Sequence, residues 1–202
     1  MKKNGKWGCL FVIVLGVILI VWLLTKSQDS TLGEQSQIEQ MKQRMDNELK
    51  ELQEQQQKHW QISKTIDEMT DKERVVASLT SGNEVYFKFP YDGGSSLKMS
   101  IRRWNNDLDV FFTISQGQFT CSEYNGTNTV MIRFDDEEAV KYRVVESATN
   151  RSDMLFISSS SSAKKILSKC KEAHTIKVRA NFFDEGSRDF VFEPNEPLIG
   201  FE

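Results

Sequence analysis

The chain contains 202 residues, and its 26 basic and 29 acidic side chains give a formal net charge of -3 at pH 7. Nucleic-acid-binding proteins usually carry a concentrated basic face, so this mildly acidic composition argues against nucleic acid as a partner. The three cysteines and two histidines show no CxxC motif and no zinc-ligand spacing, which excludes a zinc scaffold and a disulfide-dense one.

An apolar segment near the start of the chain predicts a transmembrane helix. Residues 7–24 carry no charged side chain and consist mostly of Leu, Ile, Val, Phe and Trp. As a helix they would extend about 27 Å, close to the ~30 Å of hydrocarbon in a bilayer. We therefore expect a cytoplasmic basic stub over residues 1–6 and a transmembrane helix over residues 7–26.

The charges on either side of this segment predict its orientation. Lys2, Lys3 and Lys6 precede it, whereas only Lys26 follows it closely. Because basic residues stay on the cytoplasmic side, we expect a single-pass protein of the inner (cytoplasmic) membrane with its C-terminal domain periplasmic or extracellular. A cleaved signal peptide shares these features, but no small-x-small cleavage site follows the apolar segment.

The composition of the next segment predicts a helical stalk over residues 27–60. It is rich in Glu, Gln, Lys and Met, and its apolar residues recur at steps of three and four, which is typical of a helix. A strict heptad repeat would place Glu48 and Gln55 at core positions, so the coiled-coil seam is weak. Two interpretations of this segment therefore stay open: a solvated spacer, and a helix through which the chain forms a weak homo-oligomer. The apolar positions are Ile38, Met41, Met45, Leu49 and Leu52.

After an expected linker over residues 61–73, a hydrophobic period of two predicts a β domain over residues 74–202. We expect an antiparallel β-sandwich or curved sheet with one covering helix. The helix is predicted because Ala163, Ile166, Leu167 and Cys170 share one helical face after a run of capping serines. The alternating positions are Val75, Ala77, Leu79, Val85, Phe87, Phe89, Leu97, Met99 and Ile101, and further predicted strands comprise residues 108–115, 118–122, 130–134, 139–146, 154–158, 176–182 and 188–193.

Two cysteines of the β domain allow alternative interpretations. Cys121 and Cys170 are the only pair that could form a disulfide outside the cytoplasm. Cys170 lies on the apolar face of the predicted helix, which favours a buried free thiol instead. Both alternatives stay open from the sequence.

Few side chains suggest a functional site. Arg103 falls on the inward face of its predicted strand, where an unpaired guanidinium would be costly, so it must have a partner or lie at the open end of the sheet. Trp104 and Tyr91 lie near predicted turns, where exposed rings could stack on sugars. No Ser/His/Asp constellation, metal-ligand set or cofactor motif can be assembled, so we expect no enzyme activity, no metal and no cofactor.

Short motifs recur along the last two thirds of the chain: Trp60-Gln61-Ile62-Ser63, residues 67–71, residues 97–102, residues 130–135, the region of Ser147, residues 154–157 and Phe190-Val191-Phe192. With their spacing, these motifs resemble the TagO/VasI family, which is associated with bacterial type VI secretion. The resemblance implies an envelope-facing β domain without established catalytic residues.

Three functions are compatible with these features. The first is a membrane-anchored protein whose extracytoplasmic β domain binds another envelope component, in particular a protein, with type VI secretion as one setting. The second is a cell-wall or carbohydrate-binding module, or an enzyme acting on the wall. The third is a structural oligomer assembled through the stalk.

Overall fold

The structure is a computed structural model that describes residues 37–52, 55, 58–91 and 93–201. The chain divides into two units, Met1–Leu52 and Gln53–Glu202. The predicted cytoplasmic stub and transmembrane helix lie outside the described residues. Within the part of the chain that is described, no helix is long and apolar enough to cross a membrane.

Helix α1 covers residues 37–52 of the first unit. All of its side chains are exposed, including the five apolar ones at steps of three and four, Ile38, Met41, Met45, Leu49 and Leu52. In the rest of the predicted stalk, Gln55 is helical, whereas residues 58–60 are not, so the helix does not reach the predicted end at residue 60. Residues 27–36, 53–54 and 56–57 lie outside the described residues.

The second unit is mainly β, as the alternating pattern predicted. Nine of its strands form one antiparallel sheet in the order β1-β2-β5-β6-β9-β8-β7-β10-β11, and β3 pairs only with β4. The elements are β1 Gln61–Asp67, β2 Lys72–Thr80, β3 Val85–Tyr86, β4 Gly94–Ser95, β5 Leu97–Trp104, β6 Asp107–Ile114, β7 Thr129–Phe134, β8 Val140–Glu146, β9 Met154–Ile157, α2 Ser160–Cys170, β10 Ile176–Phe182 and β11 Gly186–Phe192.

The large sheet curves until residues from its two ends meet. The N–H of Gly82, just after β2, donates to the carbonyl oxygen of Val191 in β11 over 2.8 Å. The side chain of Asn83 bonds β11 twice, by accepting from the N–H of Val191 and by donating to the carbonyl of Asp189. Of the two sheet arrangements that the sequence allowed, one curved sheet therefore describes this unit.

One face of the sheet carries the core. The register places Ala77 opposite Ile101, and Ile101 opposite Val110, so buried side chains line up across the strands. Aromatic rings fill much of this space, because each removes a large apolar area from water. The largest fully buried side chains are Phe112, Phe190, Phe192, Phe201, Leu79, Leu97, Met99, Ile101, Ile114, Ile132, Leu155 and Ile166.

Helix α2 covers one side of this core, in agreement with the prediction. Ser159 is its N-cap, and the hydroxyl of Ser159 accepts from the N–H of Ser162. All four residues of the predicted apolar face are buried, and α2 packs over β6 and β9. The C-terminal residues close the same side, since the N–H of Leu198 donates to the carbonyl of Cys170 and Phe201 is buried.

The expected linker over residues 61–73 is wrong. Residues 61–67 form β1, which pairs with β2 over its whole length. The turn between them is compact because the carboxylate of Asp67 accepts the N–H groups of Met69 and Thr70. The strand was missed because its side chains are mostly polar and all exposed, so only Ile62 and Ile66 mark the period of two.

Two other strand predictions differ from the structure. The alternation through Val85, Phe87 and Phe89 ends early, since β3 stops at Tyr86 and Phe89 is 89% exposed. Pro90 follows and lacks the N–H that a continuing strand would need. Residues 118–122 form no strand, although Phe119 makes one isolated bridge to Phe182.

Candidate functional site

The first strand forms an open edge of the large sheet. β1 stands at the end of the strand order, and β2 is its only neighbour among the strands of the described residues. All seven residues of β1 are exposed. An edge of this kind presents a row of backbone N–H and C=O groups that another extended chain can bond.

Apolar side chains accompany these free backbone groups. Ile62 lies opposite Ala77, so it shares the face of the sheet that carries the core. Ile66 lies on the same face because side chains alternate along a strand, and it is 64% exposed. Met69, in the turn that follows β1, is another exposed apolar side chain, at 92%.

Lys64 separates the two isoleucines on this face. The ammonium nitrogen of Lys64 lies 3.7 Å from a carboxylate oxygen of Glu73, and both side chains are largely exposed. An exposed pair of this type contributes little to stability, about 0–1 kcal/mol, because water screens it. Lys64 is therefore able to leave its ion pair with Glu73 and to pair with another acidic side chain.

Both ends of β1 are held in place. At the start, Trp60 packs against the core, and the N–H of Asn195 donates to the carbonyl of Lys58 over 2.7 Å. At the other end, hydrogen bonds from the N–H of Met69, and then from the side chain and N–H of Thr70, hold the pKa of the Asp67 carboxyl below its usual value. β1 is thus an ordered strand rather than a loose terminus, which lowers the entropic cost of binding.

Arg103 lies at the end of β5 on the face predicted from its alternation. The guanidinium carbon stands 5.8 Å from the centre of the Phe201 ring. None of the salt bridges between described residues includes Arg103. Arg103 Nε is buried, and among the described residues it has no hydrogen-bond acceptor. An aromatic ring, rather than a carboxylate, is therefore its neighbour.

Trp104 and Tyr91 do not join Arg103 in one site. Trp104 follows Arg103 directly, so its exposed ring lies on the opposite face of the sheet. Tyr91 lies between β3 and β4, where its ring packs edge-on against Phe87 at 6.3 Å. Stacking of Trp104 or Tyr91 on sugars stays a prediction from the sequence.

The disulfide considered for Cys121 and Cys170 is absent, since both residues are free thiols. Burial raises the pKa of the Cys170 thiol, which lies on the buried face of α2. The pKa of Cys121 is also raised, first by burial and then by the nearby Glu146 and Glu123. The Cys121 thiol donates to the carbonyl of Val144 over 3.5 Å.

Histidines and acidic residues form no cluster suited to a metal in the described ranges. The carboxylate of Asp135 accepts the backbone N–H groups of His174 and Thr175 at 2.9 and 2.7 Å. His59 lies beside Asn195, with 3.1 Å between His59 Nε2 and the Asn195 amide nitrogen. Asp135 and His59 therefore each contact another residue near a turn, which is a structural role.

The chain matches no protein-family model, no curated protein and no solved structure. Its resemblance to the TagO/VasI family stays a prediction from short motifs. The first of those motifs, residues 60–63, includes the start of the open edge strand.

Proposed function

We propose that this chain is a single-pass, membrane-anchored envelope protein whose β domain binds another envelope protein by strand addition at β1. The observation that carries the proposal is the open edge of β1, ordered and exposed along all seven residues. Main-chain hydrogen bonds supply affinity in strand addition, and alternate side chains supply specificity.

The face of β1 suggests what the added strand looks like. Ile62 and Ile66 present apolar surface, while Lys64 between them presents a positive charge. A complementary segment carries apolar side chains on either side of an acidic one, because opposite charges on facing residues stabilise a strand pair. This pattern distinguishes the proposed partner from an arbitrary extended peptide.

A second copy of the chain fits this edge poorly. The antiparallel register that pairs all seven residues of β1 with themselves sets Lys64 opposite Lys64. Like charges placed directly opposite each other destabilise a strand pair. Lysine on an edge strand is a common protection against self-pairing. We therefore assign the edge to a different protein.

The envelope location comes from the predicted anchor over residues 7–26 and the basic residues before it. Alkaline phosphatase fused to the C-terminus of the full chain should be active, because the enzyme folds in the periplasm. An inactive fusion, together with a fluorescent cytoplasmic reporter at the same position, would invert the topology and remove the envelope role.

The resemblance to TagO/VasI proteins supports type VI secretion as the setting of this interaction. Deleting the gene in a strain with an active system should lower the amount of secreted effector. Unchanged secretion would leave the binding function but remove this setting.

Site-specific crosslinking in cells tests the binding edge directly. A photoreactive phenylalanine analogue at position 66 of the full chain should form a crosslink to one envelope protein. Position 199 is the matched control, because Ile199 is an equally exposed isoleucine outside the edge, at 70% against 64% for Ile66. The same products from both positions, or none from position 66, would contradict the proposal.

A second candidate function, binding to cell-wall carbohydrate, is favoured by exposed aromatic rings in or next to two neighbouring loops. Tyr86, Phe89 and Phe183 are exposed, and the loops are joined where the N–H of Lys88 donates to a carboxylate oxygen of Glu185 over 2.8 Å. Exposed rings of this kind can stack on sugars. Retention of the full chain on purified peptidoglycan, lost in Phe89→Ala, would support this function, whereas no retention would eliminate it.

A further inference from the structure

A cleft between the β5–β6 hairpin and α2 collects positive charge. It encloses about 250 Å³, and Arg103, Lys164 and Lys171 line it together with one carboxylate, that of Asp107. Three cations and one anion leave a net charge of +2 in a small space. The hydroxyl of Ser168 lies in the same lining.

The cations of the cleft lack the ion pairs that other arginines of this unit form. Arg102, Arg143 and Arg179, for example, are each paired with a carboxylate. No salt bridge within the described residues involves Arg103, Lys164 or Lys171. Their charges are therefore available to an anion that enters the cleft.

The fold directs these groups to one place. Lys164 and Ser168 lie four positions apart on α2, and Lys171, its C-cap, follows three positions later, so all three lie on one side of the helix. The guanidinium of Arg103 lies over the buried ring of Phe201, at a distance typical of a cation–π contact. This contact restricts the rotation of the Arg103 side chain, so less entropy is lost when an anion binds.

We infer that this cleft is a binding site for a phosphate monoester group. A monoester carries a charge between about -1.5 and -2 at pH 7, which matches the net +2 of the lining. The planar guanidinium bonds two phosphate oxygens at once, and the two ammonium groups act as point charges beside it. The Ser168 hydroxyl adds a neutral donor.

The site is independent of the proposed strand addition. Arg103 lies on β5, and β2 separates β5 from the open edge at β1. The phosphate can belong to a soluble metabolite or to a lipid headgroup, and both present the same group to the cleft. Loss of partner crosslinking at Ile66 would leave this inference untouched, and loss of phosphate binding would leave the edge untouched.

Calorimetry on the full chain in dodecyl maltoside micelles, at physiological salt, tests the inference. Glycerol 3-phosphate should bind saturably, with a dissociation constant of about 1 mM or lower. Lys164→Gln/Lys171→Gln should weaken binding at least about tenfold, because two charge-assisted contacts are lost. Both lysines are exposed, so the variant keeps its fold.

Lys165→Gln is the matched control, because Lys165 is an exposed lysine of α2 that lies outside the cleft lining. It should leave affinity within about twofold of the unaltered chain, because salt screens exposed charges that do not contact the ligand. Equal losses in the control and the double variant would overturn the inference, as would the absence of saturable binding.

A short-chain phosphatidic acid distinguishes the two sources of phosphate. Affinity higher than that for glycerol 3-phosphate would assign the site to a lipid headgroup, and equal affinity would assign it to a soluble monoester. Both results support a phosphate site. Arg103→Lys should weaken binding of either ligand while retaining the charge, since an ammonium cannot bond two phosphate oxygens in the planar geometry of arginine.

Discussion

Ile62 lies directly opposite Ala77 in the β1–β2 pair, yet Ala77 is fully buried while Ile62 is 40% exposed. The core face of the sheet thus continues past the core and ends in solvent at β1. The described residues cover Ile62 only in part, so some of its apolar surface is open to solvent at this edge.

Ile66→Lys should disrupt partner binding without destabilising the domain. The side chain is mostly exposed, so the free energy of unfolding should change by no more than about 0.5 kcal/mol. A lysine at position 66 removes the apolar side chain that would face an apolar residue of the added strand, and lysine on an edge strand disfavours pairing, so partner affinity should fall about tenfold or more. The effect is measured as the amount of the partner, identified beforehand by crosslinking, that co-purifies with the variant. Ile199→Lys should leave that amount unchanged.

Phe190→Ala should destabilise the β domain strongly, whereas Phe183→Ala should not. Phe190 is fully buried and packs near Phe182, with ring centres 5.9 Å apart. Removing a buried phenylalanine costs about 3–5 kcal/mol, because it leaves a cavity as well as losing apolar burial. Phe183 is exposed, so its loss should stay within about 0.5 kcal/mol. The urea midpoint of each variant checks the difference.

The β1–β2 turn should weaken in acid. Hydrogen bonds from Met69 and Thr70 lower the pKa of Asp67 below 3.8 in the folded chain. A carboxyl group whose pKa is lower in the folded chain than in the unfolded chain stabilises the fold at pH values above its unfolded pKa. This contribution disappears as the pH falls through the pKa of the folded chain. Hydrogen exchange should therefore show less protection of the Met69 and Thr70 amides at about pH 2 than at about pH 6.

Asp67→Ala provides the control for this titration. The variant lacks the carboxylate acceptor, so its turn amides should be weakly protected at either pH. Equal protection of the unaltered chain at both pH values would show that the carboxylate does not hold the turn.

Cys170 should resist thiol reagents in the folded chain, while Cys121 should react measurably faster. The thiolate is the nucleophile, and burial raises the pKa of Cys170 and also blocks access to it. Cys121 is only partly buried. Mass spectrometry after alkylation of a Cys9→Ser variant measures both. Reaction of neither cysteine until a reductant is added would indicate a disulfide instead.

Much of this fold follows from local patterns along the chain. Strands such as β5 and β10 were predicted because residues facing one core alternate with exposed ones, as Ile176, Val178 and Ala180 do. Helix α2 was predicted because its apolar residues share one helical face. Both signals are strong where an element has one buried side, because apolar residues then recur along the sequence at the repeat of a strand or a helix.

The proposed binding edge was not predicted from the sequence because β1 is an edge strand with no buried residue. Its identity as a strand depends on hydrogen bonds to β2, and only Ile62 and Ile66 hint at it. The cleft proposed to bind phosphate was missed for a different reason, because Arg103 and Lys171 are far apart in sequence and belong to different parts of the fold. Sequence reasoning did single out Arg103, but not the lysines beside it.

The amino-acid pattern alone therefore established a β domain, a covering helix and the inward side of Arg103, because each depends on neighbours within a few residues. The order of the strands, the open side of β1 and the grouping of three cations around one cleft depend on contacts between distant segments. Such contacts arise only when the whole sheet curves around its core, so their position is a property of the folded chain.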